Sequence, residues 1–255
     1  MAGPILALLV LRQADGCLVV VNARMVGAMT TTLITGATRG LGRETARQLV
    51  AAGHTVYVGA RDEAAGRAVA EELGARSVRI DVTDDESVAA AFAQLESEGG
   101  VDVVVNNAGI AMLALNGPDA LAVFDTNAVG IVRVTEAALP LLRKSANPVI
   151  VNISSALGSF GANHDPERPA SQVQAIVYGA SKAAVSMLTV QYARAVPEVK
   201  FNAVEPGYTA TELGGVANPH GRPVEVSAAT VVRMAVIGAD GPTGTFQEDD
   251  RELAW

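Results

Sequence analysis

Tyr178 and Lys182, a phenol and an ammonium four positions apart, are the residues of this chain whose types and spacing most directly suggest chemistry. On a helix, residues at i and i+4 lie on one face, about one turn from each other. A nearby ammonium favours an ionised phenol, so we expect Lys182 to lower the pKa of Tyr178 from about 10. Tyr178 is then a candidate general acid or base. The alternative is a half-buried tyrosine beside a lysine whose stem covers apolar surface.

A glycine turn between a predicted strand and a predicted helix is the second candidate site. The β-prone run Thr30–Thr35 meets Gly36-Ala-Thr-Arg-Gly40-Leu-Gly42, and a helical pattern continues to about Ala52. Glycines let the backbone approach a pyrophosphate closely, and the helix N-terminus adds free N–H groups and a favourable dipole. We therefore predict a dinucleotide site here, with an ordinary glycine turn as the alternative.

The residues after the next strand, Thr55–Ala60, indicate which dinucleotide binds. An acid at this position would hold the 2′-hydroxyl of NAD. The sequence instead gives Arg61, followed by Asp62, and Arg39 lies in the glycine turn. Because arginine is always charged and binds phosphate bidentately, two guanidiniums suit a 2′-phosphate. We predict NADP(H) over NAD(H). Asp62 leaves NAD as a possible cofactor. The alternative for the two arginines is that both face solvent and bind no phosphate.

Later strands also end in polar residues, at the edge where open α/β sheets bind ligands. These strands and the residues that follow them are Ser77–Ile80 with Asp81-Val82, Val101–Val105 with Asn106-Asn107-Ala108-Gly109, Val149–Ile153 with Ser154-Ser155, and Lys200–Glu205 with Pro206-Gly207. Asp81 could accept from an adenine amino group or shape the approach to a helix, and both remain open. A serine at this edge could donate to a substrate carbonyl. A last short strand is predicted around Phe246.

The helical patterns fall between these strands. They cover Glu63–Leu73, a helix capped by Asp84 or Asp85 and running to about Glu98, about Asp119 to Arg143, a helix through Tyr178 and Lys182 to about Ala195, and Val224–Ile237. Asn127 lies inside the long third helix, where asparagine is unfavourable, so we expect it to kink the helix or hold a water. Ala156 to Ile176 shows no periodicity and is predicted to be a long loop. Its His164, Asp165 and Glu167 indicate an exposed charged lid, since their spacing matches no familiar metal site.

Composition limits the classes of protein. The 255 residues carry a net charge of −8, with 49% hydrophobic residues and no dividing linker, so we expect one α/β domain. No basic stripe suggests nucleic acid, and no apolar run reaches the roughly 18 residues that a membrane span needs. The single cysteine, Cys17, excludes an internal disulfide and favours a reducing compartment. No Lys or Arg precedes the apolar run Ile5–Leu11, which argues against a signal peptide. We expect a cytoplasmic protein.

The first 28 residues fit the rest of the chain poorly. Ile5–Leu11 and Leu18–Val21 are β-prone runs around Asp15-Gly16, which predicts a hairpin. The alternative is an appendage without fixed structure. Met29 precedes the first clear strand. We predict that residues 1–28 are a dispensable extension and that 29–255 form the catalytic domain.

From about Thr32 to Phe246 the chain resembles the short-chain dehydrogenase/reductase family. The resemblance rests on the joint order of Thr35-Gly36-x-x-x-Gly40-x-Gly42, Asp81-Val82, Asn106-Asn107-Ala108-Gly109, Asn127, Ser155, Tyr178-x-x-x-Lys182 and Pro206-Gly207. It implies a Rossmann-type, doubly wound parallel sheet of about seven strands with helices on both faces. It also implies a catalytic tetrad, with Ser155 preferred to Ser154, and a small-molecule carbonyl or alcohol substrate.

The resemblance also assigns roles to residues. Ser155 and Tyr178 would donate to the substrate oxygen, Lys182 would stabilise the phenolate and bind the nicotinamide ribose, and Asn127 would hold a proton-relaying water. Thr209 matches the position that holds the nicotinamide amide. The full set of implied cofactor-binding residues is Gly36, Thr38, Arg39, Gly40, Leu41, Gly42, Arg61, Asp81, Val82, Asn107, Ala108, Gly109, Tyr178, Lys182, Pro206, Gly207 and Thr209.

Within the family the chain is similar to the carbonyl reductase branch. The similarity rests on Arg61-Asp62, the extra residues before Tyr178, and the ending Gly241-Pro242-x-Gly-x-Phe246 with Trp255. It implies an NADPH-dependent reductase of ketones, aldehydes or quinones. A 3-oxoacyl-carrier reductase and a non-catalytic NADP sensor or scaffold are the alternatives, and the choice between monomer and homo-oligomer stays open.

Overall fold

The computed structural model describes residues 9–12, 18–21, 29–112, 116–211, 213 and 220–255. The strands in this part of the chain are β1 (Leu9–Arg12), β2 (Leu18–Val21), β3 (Thr31–Thr35), β4 (Thr55–Ala60), β5 (Arg76–Arg79), β6 (Val103–Asn106), β7 (Val149–Ile153), β8 (Lys200–Glu205), β9 (Thr245–Glu248) and β10 (Arg251–Glu252). Eight of them form the main sheet, in the order β10-β9-β8-β7-β6-β3-β4-β5. The seven strands from β9 to β5 are parallel, as predicted. The two-residue β10, antiparallel to β9, was not predicted.

The helices cover both faces of this sheet. They are α1 (Gly40–Ala51), α2 (Glu63–Leu73), α3 (Asp85–Ser97), α4 (Gly117–Phe124), α5 (Gly130–Leu142), α6 (Phe160–His164), α7 (Ile176–Ala195) and α8 (Val224–Ala235). Apolar residues of α1, α2 and α8 pack in one cluster with Ile34 and Val56 of the strands. Those of α3 and α5 pack on the opposite face with Leu33 and Tyr57, where α7 contributes Tyr192 and Ala193. Neighbouring strand residues point to opposite faces, so a strand packed on both sides is apolar along most of its length, as β6 and β7 are.

The helix predicted over about Asp119–Arg143 is confirmed as a helical stretch from Gly117 to Leu142, with one irregular turn inside it. A π-helical turn, Asp125–Val129, separates α4 from α5. Asn127, which we expected to kink the helix or hold a water, lies in this turn, and its side chain bonds to a different segment, at Ile110. Asp84, and not Asp85, caps α3, accepting from the N–H groups of Glu86 and Ser87.

The prediction of a long loop over Ala156–Ile176 was wrong, because this segment contains short helices. Besides α6, two 3₁₀ turns form, Ala156–Gly158 and Pro169–Gln172. The C-terminal residues hold this segment in place: Ser159 Oγ donates to the Ala254 carbonyl at 2.6 Å, and Gly161 N–H donates to the Trp255 carbonyl at 3.0 Å. Sequence periodicity could not reveal helices that depend on contacts so distant in the chain.

The N-terminal strands β1 and β2 pair antiparallel with each other in a sheet of their own. The predicted turn at Asp15-Gly16 and the beginning of the first run lie outside the described residues. None of the helices described is long and apolar enough to cross a membrane. Within the same residues, no group of three or more His, Cys, Asp or Glu side chains is placed to hold a metal ion.

Candidate active site

The glycine turn between β3 and α1 depends on its lack of side chains. Gly36 and Gly40 have φ of +65° and +53°, a region that favours glycine. A Cβ on Gly36 would lie 3.0 Å from Ala108 Cα, and one on Gly42 would lie 2.4 Å from Asn107 Nδ2. The N-cap residue of α1, Arg39, forms no side-chain capping hydrogen bond to the first N–H groups of the helix. These features fit a dinucleotide pyrophosphate at a helix N-terminus.

The segment Asn107-Ala108 fixes this turn from the neighbouring strand. Asn107 Nδ2 donates to the carbonyl oxygens of Thr35 and Gly36, at 2.9 and 3.1 Å. In return, Thr35 Oγ1 accepts from the backbone N–H groups of Asn107 and Ala108, at 3.1 and 3.0 Å. The two segments that were predicted separately to bind the cofactor therefore form one hydrogen-bonded unit.

At the far end of the sheet, the carboxyl ends of β4 and β5 bring Arg61 near Asp81. Arg61 is exposed. Asp81 Oδ1 accepts from the backbone N–H and the hydroxyl of Thr83, at 3.0 and 2.7 Å. These bonds lower the pKa of Asp81, chiefly through the Thr83 N–H, and the charge of Arg61 acts in the same direction. Asp81 thus shapes the turn before α3, while its contact with adenine stays a prediction. Val82 is buried.

The Tyr178 and Lys182 side chains lie together on α7, as the spacing predicts. Lys182 is only 4% exposed, and its Nζ donates to the Ile153 carbonyl at the end of β7, at 2.7 Å. The same Nζ lies 5.7 Å from the centre of the Tyr178 ring. Tyr178 is half-buried. The ammonium is therefore placed at the carboxyl edge of the sheet, beside the phenol.

Gly109 connects this pair to the cofactor half of the molecule. A Cβ on Gly109 would lie 3.3 Å from Asn127 Oδ1 and 3.6 Å from Lys182 Nζ. Asn127 is fully buried, and its amide is held by Ile110 and by Ser181 Oγ, the latter at 3.0 Å. Asn127 thus fixes the backbone just after Gly109. The water relay assigned to Asn127 stays a prediction.

The structure distinguishes Ser155 from Ser154. Ser154 Oγ is buried, donates to the Lys182 carbonyl at 3.1 Å and lies within hydrogen-bond distance of Ser186 Oγ. Ser155 is half-buried, and its hydroxyl interacts with the phenol of Tyr178. Ser154 therefore contributes to packing, whereas Ser155 has the position expected of the predicted donor.

The predicted direction of the Tyr178 pKa was wrong. Burial of the phenol, with the negative charge of Glu205 as the second cause, raises its pKa well above the usual range, and the Ser155 hydroxyl only partly opposes this. Burial lowers the pKa of Lys182 to about 8, against an opposite effect of Glu205. The spacing of the pair is visible in the sequence but its desolvation is not, and burial is the largest cause of both pKa shifts.

The turn after β8 completes the edge of the site. Gly207 has φ of +77°, and a Cβ there would lie 2.5 Å from Arg222 Nε. Thr209 Oγ1 donates to the Gly207 carbonyl at 2.8 Å and lies 2.7 Å from Ser227 Oγ. Pro206 is half-buried. Sequence reasoning missed Glu205 and Arg222; an acid at the carboxyl end of β8, directly before Pro206-Gly207, was the signal for the first.

Thr38, Leu41 and Arg39 lie in or beside the glycine turn, the first two half-buried and the third exposed. Together with the residues above, they account for all the predicted site positions. The structure gathers them along the carboxyl edge of the sheet from β5 to β8, which is the edge where ligands bind in doubly wound folds.

Comparison with known proteins agrees with this arrangement. The sequence model of the family described as short chain dehydrogenase matches residues 30–221. A short-chain dehydrogenase of Penicillium roqueforti, anuI, is 33% identical over 87% of this chain and 94% of its own length. A 3-oxoacyl-[acyl-carrier-protein] reductase of Vibrio harveyi is 32% identical over 79% of this chain and 82% of its own.

Among solved structures, a gluconate 5-dehydrogenase from Burkholderia cenocepacia, in complex with NADP and tartrate, superimposes with a TM-score of 0.73. It is 28% identical, over 86% of this chain and 92% of its own. The glycine turn, the Asn107–Gly109 segment and the Tyr178–Lys182 pair thus occur in a chain whose fold and sequence match one group of enzymes. The chain belongs to the short-chain dehydrogenase/reductase family, oxidoreductases that bind a nicotinamide cofactor and act on CH–OH or carbonyl groups of small molecules.

Proposed function

We propose that this protein is an NADPH-dependent reductase of a ketone, aldehyde or quinone carbonyl, with Tyr178 as its general acid. The observation that carries the proposal is the position of Gly109. Its neighbours Asn107 and Ala108 fix the glycine turn, while Gly109 itself packs against Asn127 and Lys182. One short segment therefore contacts both the glycine turn and Lys182, which supports a shared site for the dinucleotide and the phenol–ammonium pair.

The residues would act on a carbonyl as follows. NADPH, when bound, supplies the hydride. Ser155 and Tyr178 donate hydrogen bonds to the substrate oxygen, where negative charge grows, and donors so placed typically contribute a few kcal/mol each. Tyr178 then gives its proton to that oxygen, and the Lys182 ammonium stabilises the phenolate. The raised pKa of Tyr178 keeps the phenol protonated at neutral pH in the free protein, the form required for reduction.

Two observations support NADP(H) as the cofactor. The Asp62 carboxylate, which could have served NAD, instead caps α2 by accepting from the N–H of Ala65 at 3.1 Å. Arg61 stands exposed at the end of β4, where a 2′-phosphate is expected. The Burkholderia dehydrogenase carries NADP in its structure, which is consistent with this choice. The single cysteine, Cys17, supports a cytoplasmic location as part of the same proposal.

A 3-oxoacyl-carrier reductase is the second candidate, because a relative 32% identical bears that name. An acidic acyl carrier would favour a basic rim around the site. Arg168 forms a bidentate ion pair with Glu248, and Arg222 pairs with Asp249 at 2.6 Å. Both cations near the site mouth are thus neutralised within the described residues, which favours a free small-molecule carbonyl.

NADPH oxidation by the wild type with aldehydes, ketones, quinones and a 3-oxoacyl-carrier thioester tests this function, together with Tyr178→Phe. We expect Tyr178→Phe to bind NADPH as the wild type does and to lose about 10²- to 10⁴-fold in turnover, the usual contribution of a general acid. Tyr192→Phe, a change of the same kind near the other end of α7, should keep wild-type turnover. Comparable turnover in Tyr178→Phe and wild type would refute the role of the phenol. NADPH binding without turnover of any carbonyl would favour the sensor or scaffold.

A further inference from the structure

The carboxylate of Glu205 connects the two turns that flank the candidate site. Glu205 lies at the end of β8 and is 9% exposed. Its Oε1 accepts from the N–H of Gly207 at 2.8 Å, and its Oε2 accepts from the N–H of Ala156. Ala156 directly follows Ser155 in the chain. One buried side chain therefore joins the turn that presents Ser155 to the turn that begins with Pro206-Gly207.

The charge of Glu205 also faces the phenol and the ammonium. The charged and titratable groups around it in the described structure are Tyr178 and Lys182 on α7, Glu248 on β9, Arg222 before α8 and Arg168 before α7. Arg168 bonds to Glu248, and Arg222 bonds to Asp249, so each of these cations has its own carboxylate. Burial raises the pKa of Glu205, while the N–H groups of Ala156 and Gly207 and the charge of Arg222 favour its ionised form.

We propose that Glu205 is a positioning residue of the reductase reaction, which ties the Ser155 turn to the Gly207 turn and sets a negative charge beside the Tyr178–Lys182 pair. This inference rests on the proposed function. A negative charge favours the protonated phenol and the protonated amine alike. Glu205 therefore keeps Tyr178 able to give a proton and keeps Lys182 cationic, which suits carbonyl reduction.

The sign of the effect can be measured without substrate or cofactor. The chain has three lysines, Lys144, Lys182 and Lys200, so NMR of protein labelled only at lysine resolves their titrations. Because Glu205 raises the pKa of Lys182, Glu205→Gln should lower that pKa from about 8. A drop of about one unit is the size expected for a single nearby charge. Glu44→Gln is the matched control, since Glu44 is a buried carboxylate on α1 that pairs with Arg47.

Kinetics test the positioning role. The pKa of Tyr178 lies well above its usual range, so turnover should fall at alkaline pH as Lys182 loses the charge that stabilises the phenolate. Because Glu205 raises the pKa of Lys182, Glu205→Gln should move the alkaline limb of the pH–rate profile to lower pH and lower kcat more than it changes KM. Glu205→Asp keeps the charge but shortens the reach to Ala156 and Gly207. Glu205→Asp should therefore leave the pKa of Lys182 unchanged and still lower turnover. This variant also tests the positioning role if Glu205→Gln does not fold.

Two results would overturn the inference. One is that Glu205→Gln leaves both the pKa of Lys182 and the alkaline limb of the pH–rate profile unchanged. The other is wild-type kcat in Glu205→Asp. If the wild type neither binds NADPH nor reduces any carbonyl, the proposed function is refuted. The lysine titration would still show separately whether the charge of Glu205 acts on Lys182.

Discussion

Arg61, just after the end of β4, is the side chain on which the proposed preference for NADPH depends. It is exposed, with its charge near Asp81 on the next strand and next to Asp62, whose carboxylate is committed to capping α2. An exposed guanidinium keeps its donors available for a phosphate, and it binds phosphate in a bidentate manner. In the proposed function, Arg61 thus offers a cation at the strand end where an NAD-specific site would offer an acid.

We therefore expect Arg61→Ala to weaken NADPH binding by about 10-fold or more, since a hydrogen bond to a charged group contributes about 1.5–3 kcal/mol. NADH, which lacks the 2′-phosphate, should bind almost as before. Arg67→Ala is the control, because Arg67 is an exposed arginine of α2 paired with Glu63. Titration of each variant with both cofactors measures the ratio. Equal losses for NADPH and NADH would contradict a phosphate contact at Arg61.

Single residues also mark the limit of what the sequence could predict about the site. The order and spacing of four residues in the sequence were enough to predict them as site residues: Tyr178, Lys182, Ser155 and Asn127. The pKa of Tyr178 could not be predicted in this way, since it depends on how far folding removes the phenol from water and on Glu205, 27 positions later. Desolvation is a property of the packed structure, so no local pattern reports it.

Two strand–turn segments, the glycine turn after β3 and the Asn107–Gly109 segment after β6, work as a pair of elements. Asn107 and Ala108 donate hydrogen bonds to Thr35 and Gly36, and Gly42 of α1 lies beside the Asn107 side chain. A side chain at Gly42 would meet Asn107 Nδ2 at 2.4 Å and the Gly36 carbonyl oxygen at 2.7 Å. The first distance involves an amide already engaged in two hydrogen bonds, so it cannot simply move aside.

Gly42→Ala should therefore both destabilise the protein and weaken NADPH binding. Overpacking of this kind typically costs about 1–3 kcal/mol, and we expect a loss of that order in the free energy of unfolding. Gly117→Ala is the control: Gly117 is also helical, and a Cβ there meets nothing within 4 Å. Urea denaturation and NADPH titration measure the two effects. A Gly42→Ala variant as stable as Gly117→Ala, with unchanged NADPH affinity, would show that the two segments are not tightly coupled.

At this scale the sequence predicted regular elements well and irregular ones poorly. The strands from β3 to β9 and the helices α1, α2, α3, α7 and α8 follow from periodicity and differ from expectation by at most a few residues at their ends. The π-helical turn at Asn127 depends on Ile110, and α6 depends on Ala254 and Trp255. Such contacts between distant parts of the chain decide the irregular elements, and periodicity carries no record of them.

The order of the strands places the site for the molecule as a whole. From β3 the chain builds outward through β4 to β5, then crosses to β6 and builds the other way through β7 and β8 to β9. Between β3 and β6 the direction reverses, and this is the point where doubly wound sheets open a ligand crevice. The glycine turn and Asn107 flank that point, while Ser155 and Glu205 lie on the next strands of the second half. The reversal explains why two distant stretches of sequence share one site.

The strands β1 and β2 stand apart from this arrangement, because they pair with each other while the main sheet begins at β3. Removing residues 1–28, so that the chain begins at Met29, should therefore leave the unfolding midpoint, NADPH affinity and turnover unchanged. Removing residues 253–255 is the contrasting truncation, since Leu253 is 4% exposed and Trp255 stacks on Phe246 at 5.3 Å. That shorter deletion should lower the midpoint, because burying a leucine side chain contributes about 1.5–3 kcal/mol. Loss of folding or activity in the chain that begins at Met29 would show that the N-terminal residues are part of the catalytic domain.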